Sequence, residues 1–306
     1  MLPVLYFQPT VVCVDDDKLS INTYRTLFKD HFNCVFFDNG VDALNYLDKN
    51  RSTIANITLS SLVQDYDYNS SYETLLKLSV EPLLHFYSEV NKSNEIAVLL
   101  TDYYMEPMNG IELCQSIRKL PIKKFLLTEH QSLSLATNAY NSNIINYFLN
   151  KTDSPDLFIE GLNLLIFEYF KDISLSLKHY FEINQSPLTD QVFIDYFKKL
   201  FKKENIKEYY LIDNNGSYLL VNNLGHKKVL LVHTDLSLNK FISNFEEIPG
   251  IQASVDTIKN RTHIPFLGIS EDINFELVRS INNRLLPCSQ LEGNSKYYLS
   301  LVDIND

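Results

Sequence analysis

Two short apolar runs, each ending in carboxylate, constrain this chain more than any other feature. Val11-Val12-Cys13-Val14 leads into Asp15-Asp16-Asp17, and Val98-Leu99-Leu100-Thr101 leads into Asp102. Short, β-branched runs of this kind read as strands buried on both faces, as in a parallel sheet covered by helices. Open α/β sheets gather ligands outside the carboxyl ends of their strands. If both strands lie centrally in one sheet, Asp15, Asp16 and Asp102 converge on a pocket of hard oxygens suited to Mg²⁺. Carboxylates so close repel one another, and without a cation some would protonate. The plainer alternative for Asp102 is a side chain that only caps the loop after its strand.

Two further strand ends extend the set. Phe125-Leu126-Leu127-Thr128 ends in a hydroxyl, and Ile144 to Asn150 leads into the cation Lys151. After Asp102 comes a loop carrying Pro107 and Asn109-Gly110, then a helical segment from Ile111 to Leu120. An acidic pair after the first strand, an acid after the third, a hydroxyl after the fourth and a lysine after the fifth resemble the receiver domain of two-component response regulators. The resemblance spans residues 10 to 170 or so.

What the resemblance implies is specific. The fold would be α/β, a doubly wound five-stranded parallel sheet of the flavodoxin-like kind. Asp102 would be the phosphoacceptor. Mg²⁺ would be held by Asp15, Asp16 and Asp102, with the Tyr104 backbone carbonyl as a further ligand. Thr128 would hydrogen-bond the phosphoryl oxygen, and Lys151 would pair with the acceptor or its phosphate. Thr128 and Phe148 would form the switch. The donor would be a histidine kinase or a phosphotransfer protein, neither present in this chain. A homodimer through the fourth-helix to fifth-helix face is the self-association the resemblance allows. The chemistry suits these roles: a carboxylate is a competent nucleophile toward phosphorus, the metal and Lys151 neutralise charge on the equatorial oxygens, and the remainder is positioning. No enzymatic activity beyond self-phosphotransfer and autodephosphorylation is implied.

The chain departs from the family pattern in several places. Arg51 to Glu95 is an insertion between the second helix and the third strand. Its second half carries Leu75, Leu76, Leu78, Leu83, Leu84, Phe86 and Tyr87, too many large apolar residues for a disordered tract. One or two helices are expected there, with Pro82 starting or kinking the second. They serve either as a packed lid or as a partner surface. Met105-Glu106-Pro107 sets the loop proline one place late. Glu129 replaces a small residue beside Thr128. In the family, Tyr104 and His130 fall at positions that tune dephosphorylation. Thr152-Asp153-Ser154-Pro155 stands where a proline normally follows the lysine directly.

At 306 residues the chain should hold two domains. The first is a receiver over 8–183, with a helical insertion at about 51–95 and a long fifth helix. The boundary falls at Asn184-Gln185-Ser186-Pro187, and an α+β, PAS-like output domain occupies 187–306. In that part Thr189 is the expected cap of a helix through Lys203. Asn214-Asn215-Gly216 predicts a hairpin between strands at Tyr209–Asp213 and Ser217–Val221. Further strands are expected at Lys228–His233 and Lys296–Val302, with helices at Leu236–Phe245 and Asn274–Leu285. His226, His233 and His263 have no metal-ligand spacing, and no phosphate loop or nucleophile elbow occurs.

A formal net charge of −11 argues against a general nucleic-acid or anionic-membrane surface. Lys198, Lys199, Lys202 and Lys203 read as a solvated helix face, with a nucleic-acid contact as the minor alternative. Cys13, Cys34, Cys114 and Cys288 are scattered and read as reduced thiols. No signal peptide or membrane-spanning stretch is evident, and a cytoplasmic protein is expected. The rivals to a phosphorylated response regulator are a degenerate receiver that binds proteins without phosphorylation, a DNA-binding transcriptional regulator, and an output enzyme.

Overall fold

A computed structural model of the chain describes residues 1–50, 54, 63–64, 77–78, 83, 89–129, 132–183, 185–248, 250–266 and 284–304. In the insertion, where helices are expected from Tyr72 on, Lys77–Leu78 instead pairs antiparallel with Val63–Gln64, and a helix runs over Glu89–Asn94. Most of the rest of the insertion, residue His130 and most of the helix expected at Asn274–Leu285 lie outside the described residues. The chain divides into two compact units. One comprises Phe7–Thr58 and His85–Ile173, the other Met1–Tyr6, Leu59–Leu84 and Ser174–Asp306.

In chain order, the first unit is built from β2 (Thr10–Val14), α1 (Lys18–Phe28), β3 (Asn33–Phe37), α2 (Gly40–Lys49), α3 (Glu89–Asn94), β4 (Ile96–Asp102), α4 (Gly110–Ser116), β5 (Lys123–Thr128), α5 (Leu133–Asn141), β6 (Tyr147–Asn150) and α6 (Pro155–Leu175). The label β1 belongs to Leu5–Tyr6, which pairs in the other unit. The five strands form one parallel sheet in the order β3-β2-β4-β5-β6. This is the doubly wound, flavodoxin-like α/β fold. Every residue of β2, β4 and β5 is buried, which explains why those segments lack polar alternation. Val12 pairs with both Val35 and Leu99, and Leu126 with Phe148, so β2, β4 and β5 fill the middle of the sheet.

Local chemistry fixes the helix starts. Asp17 accepts from the backbone of Leu19 and Ser20 and so caps α1. Its inward face carries Ile21, Tyr24 and Phe28. Asn39 caps α2 through Asp42, and Asn109 with Glu112 forms a reciprocal capping box on α4. Leu99, Leu126, Leu113, Ala136 and Leu47 meet in one apolar cluster with Val12 and Val14.

The other unit has α7 (Lys178–Ile183), α8 (Gln191–Lys203), β7 (Ile206–Leu211), β8 (Tyr218–Asn222), β9 (Lys227–Thr234), α9 (Asp235–Phe245), α10 (Gln252–Lys259), β10 (His263–Pro265), β11 (Leu285–Pro287), β12 (Ser289–Glu292) and β13 (Lys296–Ile304). Its main sheet is antiparallel, in the order β1-β7-β8-β9-β13-β12. Gly216, at φ +96°, supplies the left-handed turn between β7 and β8. Residues 1–6, outside both expected domains, contribute β1, where Leu5 pairs with Tyr210 and Tyr6 with Tyr209. The units part after Ile173 rather than near 184–187. The reason lies in contacts from the chain start: Ser174 Oγ accepts from Val4 N, and Leu2 N donates to Leu188 O. The long helix stops at Leu175 before α7 begins. Asp190, not Thr189, caps α8. The described residues include no helix long and apolar enough to cross a membrane.

Candidate functional site

The site grows from the carboxyl ends of β2, β4, β5 and β6. Because β2 and β4 are neighbours in register, with Val14 opposite Thr101, the residues just after them emerge side by side. One carboxylate oxygen each from Asp15, Asp16 and Asp102 lies within 4.8 Å of the others. Asp15 and Asp102 are buried, whereas Asp16 is exposed. Lys151, immediately after β6, bridges the two buried acids: Nζ lies 2.8 Å from Asp15 Oδ2 and 2.9 Å from Asp102 Oδ2.

The electrostatics are set by burial against this bridge. Burial pushes the Asp102 carboxyl up to about 6, even though the Lys151 ammonium pulls it down. Lys151 itself is raised. Burial disfavours its charge, but hydrogen bonds to Asp15 and Asp102 outweigh that cost. Both oxygens of Asp15 are occupied, Oδ1 by the backbone N–H of Asp17 and Oδ2 by Lys151 and the Tyr24 hydroxyl. Asp102 Oδ1, by contrast, is buried and accepts no hydrogen bond among the described residues. An unpartnered buried carboxylate oxygen beside two further carboxylates is a donor set for a hard cation. The residues therefore fit Mg²⁺.

The loop after β4 is held tightly. Gly110 N donates to Tyr103 O at 3.0 Å, and Met105 turns into the apolar core. Tyr103 and Tyr104 meet edge to face, with Tyr104 half exposed. Glu106 and Glu129 are exposed. Thr128 is fully buried at the end of β5, and its hydroxyl donates to Glu129 O. Phe148, on β6, is half-buried and packs edge-on against Tyr140. No proline follows Lys151 directly; instead Asn150 Oδ1 accepts from Thr152 N, and Asp153 Oδ2 from Asn150 N. With Lys151 N donating to Thr128 O, these bonds fix where the lysine leaves the sheet.

Asp15, Asp16, Asp102 and Lys151 are thus brought together, and Thr128 ends the strand between Asp102 and Lys151. Tyr24 is the addition that the sequence does not reveal. Its helical spacing assigns it to the face on the sheet, and nothing in that spacing says that its hydroxyl reaches Asp15.

A parallel five-stranded sheet with acids and a lysine at these strand ends is a receiver fold, followed here by an antiparallel domain. The response regulator LqsR of Legionella pneumophila has a similar fold over nearly the whole chain, with a TM-score of 0.72, 23% identity, and coverage of 99% of this chain and 89% of that one. At that identity the likeness establishes the fold. The Francisella response regulator 1452 receiver domain matches at 18% identity over 52% of this chain and 97% of its own, with a TM-score of 0.34. A receiver domain of a Vibrio parahaemolyticus LuxO repressor protein matches at 16% identity over 55% and 94%, with a TM-score of 0.35. No protein-family model and no curated protein matches the sequence.

Proposed function

We propose that this chain is a response regulator that accepts a phosphoryl group on Asp102 and relays the change to its antiparallel domain or to a protein partner. One observation carries the reading: three carboxylates share a space of cation size, and the central one keeps a buried oxygen unpartnered while its other oxygen meets Lys151. Asp15, Asp16 and Asp102 would hold Mg²⁺, with the Tyr104 carbonyl as a further ligand. The cation supplies charge neutralisation on the transferring group when bound.

The protein's own part is brief. A carboxylate oxygen of Asp102 attacks phosphorus in line, and the bond to the donor's leaving group breaks. The donor is a phosphohistidine on a sensor kinase or phosphotransfer protein. Lys151 stands 2.9 Å from the acceptor and neutralises charge on the incoming oxygens. Thr128 then turns from Glu129 O toward the phosphoryl group, and half-buried Phe148 follows by repacking against Tyr140. The expected activity is limited to self-phosphotransfer and autodephosphorylation, in the cytoplasm.

Incubation with acetyl phosphate and Mg²⁺ tests the reading. Wild type should gain about 80 Da at Asp102, and Asp102→Asn should not. Absence of both the adduct and Mg²⁺ binding would favour a phosphorylation-independent binding module. Exposed Glu129 beside Thr128 is the feature that favours that second reading.

A further inference from the structure

We propose that Tyr24 is a positioning residue, a standby hydrogen-bond donor that keeps Asp15 satisfied when Lys151 turns to a group bound on Asp102. The inference rests on the reading of Asp102 as a phosphoacceptor. It begins with a crowded oxygen. Asp15 is fully buried, and its Oδ2 accepts from Lys151 Nζ at 2.8 Å and from the Tyr24 hydroxyl at 3.3 Å. In the metal-free protein one donor would suffice, and the ammonium is the nearer.

The two donors differ in their freedom. Lys151 is shared between Asp15 and Asp102 and carries a flexible, partly exposed side chain. Tyr24 is buried on α1, stacked on Phe28 and tilted against Phe158. A phenol is protonated throughout the neutral range, so its hydroxyl remains a donor there. A phosphoryl group on Asp102 brings oxygens that compete for the ammonium. When Lys151 follows them, Asp15 Oδ2 loses its nearer donor, and a buried carboxylate oxygen short of a donor carries a desolvation penalty. The Tyr24 hydroxyl, already within reach and fixed by its ring, removes that penalty.

Mg²⁺ alone leaves no phosphoryl oxygen to draw Lys151 away. Tyr24 should therefore matter for the phosphoryl state and not for the cation, a split that a packing role would not produce. Calorimetric titration of the full chain with Mg²⁺, then with beryllofluoride at saturating Mg²⁺, reads both. In Tyr24→Phe, Mg²⁺ affinity should stay within about twofold of wild type while beryllofluoride affinity falls about tenfold, the size expected for one unpaired buried acceptor. The melting temperature without metal should be unchanged, because the ring remains. Tyr24→Leu also lacks the hydroxyl and should show the same split between Mg²⁺ and beryllofluoride affinity, with a lower melting temperature because the ring is lost from Phe28 and Phe158. Equal losses for both ligands, or no loss for either, would overturn the role of Tyr24. Failure of wild type to bind Mg²⁺ or beryllofluoride would instead overturn the phosphoacceptor reading beneath it.

Discussion

Lys151 Nζ lies 2.9 Å from Asp102 Oδ2 while sitting 2.8 Å from Asp15 Oδ2, so one ammonium balances two buried carboxylates. Removing it strands both charges. Lys151→Met should destabilise the metal-free protein by about 3 kcal/mol, in the range found when one partner of a buried pair is lost. Saturating Mg²⁺ should restore part of that loss, since a cation on the same acids replaces the missing charge. Thermal unfolding in chelator and in Mg²⁺ checks both. An unchanged melting temperature in chelator would show that the acids are neutral or solvated without the lysine.

The Asp102 carboxyl, pushed up to about 6 chiefly by burial, ties cation binding to pH. Mg²⁺ needs the ionised carboxylate. Above 6 that form dominates and affinity should be flat. Below 6 a proton competes for the same group, so affinity should fall by about tenfold per pH unit. Calorimetry between pH 5 and 8 would reveal the break. For Asp102→Asn the break near 6 should vanish along with most of the affinity.

Gly110 opens α4 directly beneath Asp102. A Cβ there would lie 2.0 Å from the carbonyl oxygen of Asp102 and 2.9 Å from a methyl of Leu126. Backbone must therefore move, and the backbone in question carries Asp102. Gly110→Ala should cost about 2 kcal/mol or more of stability. It should also weaken Mg²⁺ binding, because the end of β4 shifts relative to β2. A stable variant with wild-type Mg²⁺ affinity would mean that the loop relaxes without disturbing the acid.

The parallel sheet and its acids were legible because buried central strands read as unbroken apolar runs, and because two of those runs end at the clustered acids. The helix after the Asn109-Gly110 loop was legible for the same local reason, although it starts at Gly110 and ends at Ser116. The rest depends on contacts distant in sequence. Leu5–Tyr6 is only two residues long and becomes a strand by pairing with Tyr209 and Tyr210. Neither Gly nor Pro marks the break after Leu175; there Ser174 Oγ accepts from Val4 N. The short strands His263–Pro265 and Leu285–Pro287, and the exposed Ser289–Glu292, carry no period-two pattern long enough to find. The helix Gln252–Lys259 has two turns and no side-chain cap. The hydroxyl of Tyr24 is invisible for a related reason: spacing assigns a face and says nothing about which polar atom awaits it.

In the antiparallel unit, Asp190 plays the fastening role that Lys151 plays in the parallel one. It is buried, and its Oδ1 caps α8 by accepting from Val192 N at 2.9 Å. Its Oδ2 accepts from Asn294 N and, at 2.8 Å, from the Tyr297 hydroxyl, tying the helix to the turn between β12 and β13. Gly293 must stay small, because a Cβ would come within 2.2 Å of Asp190 Oδ2. Asp190→Ala removes a cap and leaves a buried tyrosine hydroxyl and a backbone N–H without their acceptor, so a loss of about 3 kcal/mol is expected. Asp190→Asn retains one acceptor oxygen and should lose about half as much. Denaturant unfolding measures the loss, and Mg²⁺ titration of the same variants should match wild type. A combined fall in stability and cation affinity would show that Asp190 also supports the acid site.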